Sequence, residues 1–192
     1  MSTLSHTAGR NGPVTPRAGL VSRTSGGWAA IGYGVLAMAM GAAQAVRTAP
    51  DTSVQIAPGM RAMLALFAIS LLVLVPAQLG LARFARTSLG AGIASVGVTL
   101  LALGAGSSAV NGSDLSWFPL VAVIANLLWL VGSVMLAVSL WRAGRVPRWV
   151  PVLLPLTMPL TLFLSRLGGG LPAGAFWVAV GALVLSHRLD RD

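Results

Sequence analysis

The chain has 192 residues, of which 56% are hydrophobic and 9% charged, with 13 basic residues against 4 acidic ones and a net charge of +9. A soluble domain carries about 25% charged residues, so this composition excludes a soluble fold that covers its surface with polar groups. Every basic residue is arginine and cysteine is absent, which excludes disulfides, thiolate metal sites and thiol catalysis. A nucleic-acid surface needs a basic face with base-contacting or stacking groups. Here the arginines flank apolar runs, so no nucleic acid is expected and the partner is the lipid bilayer.

Residues 1–26 hold Ser, Thr, Gly, Pro, Arg10, Arg17 and Arg23 without apolar periodicity. They read as a disordered basic cytoplasmic tail. The first apolar run, 28–46, is just long enough for a hydrocarbon core of about 30 Å, which takes about 20 residues. Ala30, Gly34, Ala37, Gly41 and Ala45 fall in one helical stripe, and such stripes let helix backbones approach closely in lipid. Ala43-Gln44-Ala45 after a basic leader also has the form of a signal-peptide cleavage site. The leader and apolar stretch are long for a signal, so a retained helix is expected.

A second span covers 61–82, with Pro76 set to kink it and Gln78 placed to bond freed backbone groups or a neighbouring helix. The third, 89–110, carries Gly90, Gly92, Gly97, Gly104 and Gly106 and is expected in the middle of the bundle, because little side chain remains for lipid contact. The fourth, 117–140, begins at Trp117, ends before Trp141 and contains Asn126, expected as an interhelical hydrogen-bonding amide. The loop W-R-A-G-R-V-P-R-W (141–149) places Arg142, Arg145 and Arg148 between two apolar runs. The fifth span, 149–165, carries Pro151, Pro155 and Pro159. Pro151 is tolerated in the first turn, whereas Pro155 and Pro159 each remove an interior hydrogen bond. A bent helix follows, its carbonyls turned towards the bundle or towards Thr157 and Thr161. The sixth span is 170–187, and 189–192 form a short tail.

The expected fold is therefore an all-α membrane protein, a six-transmembrane-helix bundle with both termini inside. That topology puts Arg10, Arg17, Arg23, Arg83, Arg86, Arg142, Arg145, Arg148, Arg188 and Arg191 on the cytoplasmic side and Arg47, Arg61 and Arg166 outside, as the positive-inside rule requires. The even spans end R-F-A-R (83–86), R-A-G-R (142–145) and R-L-D-R (188–191). At spacing i, i+3 each pair shares one side of a helix end, where cations also favour the helix dipole. Arg83, Arg86, Arg142, Arg145, Arg148, Arg188 and Arg191 are thus candidate contacts for anionic headgroups.

Gly106-Ser107-Ser108 and His187 invite comparison with rhomboid-type intramembrane proteases. Their predicted positions, at opposite membrane faces about 30 Å apart, reject a nucleophile–base pair that must approach to about 3 Å. With only His6 besides, and no Glu or Cys, no metal, haem or other cofactor is expected. The Leu140-Trp-Arg-x-x-Arg-Val-Pro-x-Trp149 loop with its proline-bearing helix resembles small six-helix bacterial membrane proteins in which a basic P-x-W loop joins spans four and five. That resemblance covers spans three to six and implies topology, but no activity or site.

The leading functional expectation is a non-catalytic component of a bacterial cell membrane, acting through helix packing with a membrane-protein partner or another copy. The alternative is a small transporter or lipid-handling protein with a site near the fifth helix. Its candidate polar and hinge residues are Gln78, Asn126, Pro155, Pro159 and Arg166.

Overall fold

The computed structural model of the chain describes residues 21–46 and 56–186, apart from the Arg166 side chain. Among these residues the structure is helical throughout, without strands. Four helices are long and apolar enough to cross a membrane: α1 (Arg23–Ala45), α2 (Pro58–Leu81), α3 (Leu89–Asn111) and α4 (Phe118–Ala143). Two shorter apolar stretches follow, Trp149–Phe163 and Gly170–Leu185. The first is split into α5 (Trp149–Leu153), a 3-10 turn (Leu154–Leu156) and α6 (Thr157–Phe163), and the second is α7.

The helices pack in the row α7–α1–α2–α3–α4. The α5–α6 segment touches both α4 and α7 and closes the row into a ring. The Gly-rich α3 is the most buried of the four long helices, but it is one member of the ring and not a central post.

Glycine sets the interhelical distances. On α1, Gly27, Gly34 and Gly41 recur every seven residues and meet Gly181, Gly174 and Gly170 of the antiparallel α7. A Cβ on Gly34 would lie 2.5 Å from the Gly174 carbonyl oxygen and 2.8 Å from the Val178 nitrogen, so the two backbones touch. Gly90 and Gly97 of α3 press against α4 near Gly132 and Trp129, and Gly26 of α1 against Gly80 of α2. Large apolar side chains such as Leu103, Leu120, Leu127 and Val131 point outwards. Backbone and small residues inside with large apolar residues outside is an arrangement suited to lipid, where close packing drives association in place of the hydrophobic effect.

Several expectations change at the helix ends. α1 begins at Arg23, so residues 23–26 belong to the helix and not to a tail. Ser22 caps it, its hydroxyl accepting from the Ser25 amide at 3.1 Å. Gly26 and Gly27, which look like linker residues in the sequence, are buried against α2 and α7. The two i, i+3 arginine pairs within the described residues, 83/86 and 142/145, do not share a helix face. Ala85 is extended after the 3-10 turn Ala82–Phe84, which puts Arg86 beyond the helix. Gly144 takes φ +67 at the end of α4 and puts Arg145 beyond it. Arg10, Arg17, Arg47, His187, Arg188 and Arg191 lie outside the described residues.

The two ends of the bundle differ in charge. Arg23, Arg83, Arg86, Arg142, Arg145 and Arg148 gather at one end, called here the basic end. Arg23 Nε donates to the Val184 carbonyl at 2.7 Å, and its guanidinium lies 5.8 Å from the Phe84 ring centroid. Arg83 donates to the Val21 carbonyl at 3.1 Å. At the opposite end Arg61 donates to the carbonyls of Ala109 and Val110 at 2.7 and 2.6 Å. There it satisfies acceptors left over at the end of α3 and complements its dipole.

Candidate functional site: a cleft beside the interrupted fifth helix

The fifth apolar segment breaks because Pro155 and Pro159 have no N–H to donate four residues back, which leaves the Pro151 and Pro155 carbonyls without their helical partners. Thr157 Oγ1 donates to the Leu154 carbonyl at 2.7 Å, and Thr161 Oγ1 to those of Met158 and Thr157 at 2.8 and 3.0 Å. Neither hydroxyl therefore serves the Pro151 or Pro155 carbonyl, contrary to the expectation that the freed carbonyls turn to these threonines. Thr157, Leu154 and Val150 are buried, while Val152, Leu156 and Phe163 face outwards.

Between this segment and α4 lies an open cleft of about 280 Å³. One wall is the α4 face formed by Val134, Ala137 and Val138; the other is Pro151 and Pro155. Trp141 and Arg142 line its basic end. The cleft follows from the sequence locally. Two compact proline rings stand opposite an alanine, and the 3-10 turn shifts the segment out of helical register, so nothing fills the gap. Arg148 stacks on Trp141, its guanidinium carbon 5.6 Å from the ring centroid. Arg142, Arg145 and Arg148 are exposed. The one carboxylate among the described residues, Asp114, is at the opposite end and accepts from Ser108 at 2.6 Å.

A second, smaller chamber of about 40 Å³ lies among α1, α2, α6 and α7. Tyr33, Gln44, Ser70 and Thr161 bring polar atoms to it. Such a volume accommodates on the order of two or three water molecules. Below it an aromatic chain links three helices. Tyr33 meets Trp177 edge-on at 5.9 Å, Trp177 meets Phe176 at 5.5 Å, and Phe176 meets Trp149 at 5.9 Å. Trp149 therefore fastens α5 to α7.

The polar residues singled out in the sequence do not come together. Gln78 is fully buried near the basic end of α2 and accepts a long 3.4 Å hydrogen bond from Ser95 of α3. Asn126 is on α4, about 12 Å from the end of that helix remote from the arginines. Its amide donates back to the Ala122 carbonyl of its own helix at 2.8 Å, so it does not bridge to a neighbour. Ser95, which bonds Gln78, and Gly97, which packs against Ala125 and Trp129, are two residues apart on α3, so the two amides lie at similar depths with α3 between them. They line neither cavity described above. Pro155 does line the cleft and Pro159 does not. The Arg166 side chain lies outside the described residues. Val134, Ala137, Val138, Trp141 and Pro151 also line the cleft and were not among the candidates from the sequence; two prolines four apart facing a small residue on the preceding span were the available signal.

Comparison with protein-family models, with curated proteins and with solved structures gave no match for this chain.

Proposed function

We propose that the chain is a multi-pass protein of a bacterial cell membrane, with six embedded helical segments and both termini cytoplasmic. It serves as a non-catalytic accessory component that packs against another membrane protein or a second copy of itself. The gathering of six described arginines at one end supports the orientation. Burial of the α1 glycines against α7 supports a retained first helix. The short fifth and sixth segments span about 22–24 Å at 1.5 Å per residue, a mismatch that local thinning of the bilayer accommodates.

The observation that carries the packing role is the second glycine face of α3. Gly90, Gly97 and Gly104 are covered by α4, whereas a Cβ on Gly92 would meet nothing within 4 Å and one on Gly106 only the Ala68 methyl at 3.8 Å. Gly92, Thr99 and Gly106 recur every seven residues on the outer face of α3, alternating with the exposed Val96 and Leu103, so this face carries a row of notches between large apolar side chains. Notches of this kind let the side chains of a second helix interdigitate at close range. The chain contains no cysteine, so Thr99→Cys and Gly106→Cys are unique reporters. Crosslinking in native membranes should give a product larger than the monomer, and Gly92→Leu should reduce it. Monomer alone from both cysteine variants would refute the reading. A cysteine placed after Asp192 should react with an impermeant maleimide only after the cytoplasmic side is opened.

The transporter alternative gains no support from Gln78 and Asn126, because neither lines a cavity described above. The lipid-handling alternative keeps the cleft, which lies beside the fifth segment as that reading requires.

A further inference from the structure

We infer that the cleft between α4 and the α5–α6 segment is a binding site for one anionic glycerophospholipid, with an acyl chain against Ala137, Pro151 and Pro155 and its phosphate at Arg142 and Arg148. This inference goes beyond the packing role and does not depend on it.

Three features point to this occupant. The cleft wall is apolar along its length, and its volume of about 280 Å³ is roughly twice that of an engineered apolar cavity that admits benzene, which leaves room for a run of methylene groups. The cleft opens on the outer side of the ring, bordered by the exposed Val134, Val138 and Val152, so a chain enters it directly from the bilayer. The charged groups stand at one end only. Arg142 forms part of the lining, and Arg148 is held over Trp141 by the cation–π contact. Among the described residues Arg142, Arg145 and Arg148 donate no hydrogen bond, and no described carboxylate lies at their end. A guanidinium presents five donors in a planar fork matched to phosphate oxygens. Phosphate at the guanidinium level with the chain running towards the bilayer middle reproduces the orientation a lipid already has. Gly144 takes a left-handed conformation, φ +67, in the loop that returns Arg148 over the Trp141 ring, next in the chain to Arg142.

The full chain in mild detergent, given equal amounts of phosphatidylglycerol and phosphatidylcholine, should retain phosphatidylglycerol preferentially in native mass spectrometry. Each juxtamembrane arginine contributes about a fivefold factor, so Arg142→Gln with Arg148→Gln should lower the preference by roughly 25-fold. Both residues are exposed, and neither substitution threatens folding. Val138→Phe, at an exposed lining position, should reduce retention of both lipids. Phosphatidylglycerol brominated on its acyl chain should quench the fluorescence contributed by Trp141, defined as the signal lost in Trp141→Phe. Inorganic phosphate should not displace the lipid, because it has no chain for the cleft. Equal retention of the two lipids, an unchanged preference in the double arginine variant, or displacement by phosphate alone would each overturn the inference. Retention unaffected by Val138→Phe would place the lipid elsewhere and overturn it too.

Discussion

Gly34→Ala measures how tightly α1 and α7 are apposed. The added methyl would sit 2.5 Å from the Gly174 carbonyl oxygen, 2.7 Å from Val178 Cγ2 and 2.8 Å from the Val178 nitrogen, where ordinary contact begins at 3.4 Å. Two of the three atoms are backbone and cannot rotate away. The helices must therefore part by on the order of 1 Å, and a gap of 0.5–1 Å forfeits roughly a quarter to a half of each dispersion contact along the interface. Against this stands the gain from replacing a helical glycine by alanine, about 0.5–1 kcal/mol. Overpacking of this kind costs about 1–3 kcal/mol, so the net effect is destabilising by about 1–2 kcal/mol. Gly92→Ala supplies the comparison. It makes the same change of helix propensity where the new methyl meets nothing within 4 Å, and should leave stability unchanged or raise it by up to about 1 kcal/mol. Unfolding of the detergent-solubilised chain by increasing fractions of SDS, followed by tryptophan fluorescence, reads both. The reasoning fails if Gly34→Ala is as stable as the parent, or if Gly92→Ala is destabilised equally.

Other substitutions probe other parts of the ring. Arg61→Gln removes the charged fork from the Ala109 and Val110 carbonyls and should cost about 1–2 kcal/mol, with faster amide exchange at the end of α3; Arg61→Lys should restore only part of it, since an ammonium cannot match the paired geometry. Ser95→Ala should cost about 0.6 kcal/mol, the average for a hydrogen bond between membrane helices; a loss of several kcal/mol in the same SDS titration would show that the Gln78 bond is far stronger than its 3.4 Å length suggests. Pro155→Ala supplies an amide for the Pro151 carbonyl and should slow hydrogen exchange across 154–158 by on the order of 100-fold, as the cost of about 3 kcal/mol for an interior proline implies. Unchanged exchange there would mean that packing against α4, and not the missing donor, imposes the 3-10 turn. Trp177→Phe removes an indole N–H that is buried without a hydrogen-bond partner. The relief of about 1–3 kcal/mol from that donor should offset much of the lost ring volume, giving a smaller cost than Trp177→Leu in the same titration.

The sequence by itself determined the solvent and the elements. Charge scarcity demanded lipid, and unbroken apolar runs fixed four long helices to within a few residues at most boundaries, because the length needed to cross a hydrocarbon core is set by geometry alone. It also placed the interruption of the fifth segment, since a missing proline N–H is a local fact. The start of α1 was not legible. Gly26 and Gly27 carry no apolar signal, and their role appears only when Gly80 and Leu185 arrive against them. The stripe of α1 was visible, but not that α7, the last helix, is its partner. The placement of Gln78 and Asn126 on either side of α3 was likewise decided by the ring order. So was the cleft, which exists because Ala137, Pro151 and Pro155 leave a gap between elements adjacent in the chain. Local pattern reports what each residue demands of its solvent and its own backbone. Which backbones touch, and where they fail to, depends on summed close contacts between distant segments, and these were set only when the ring closed.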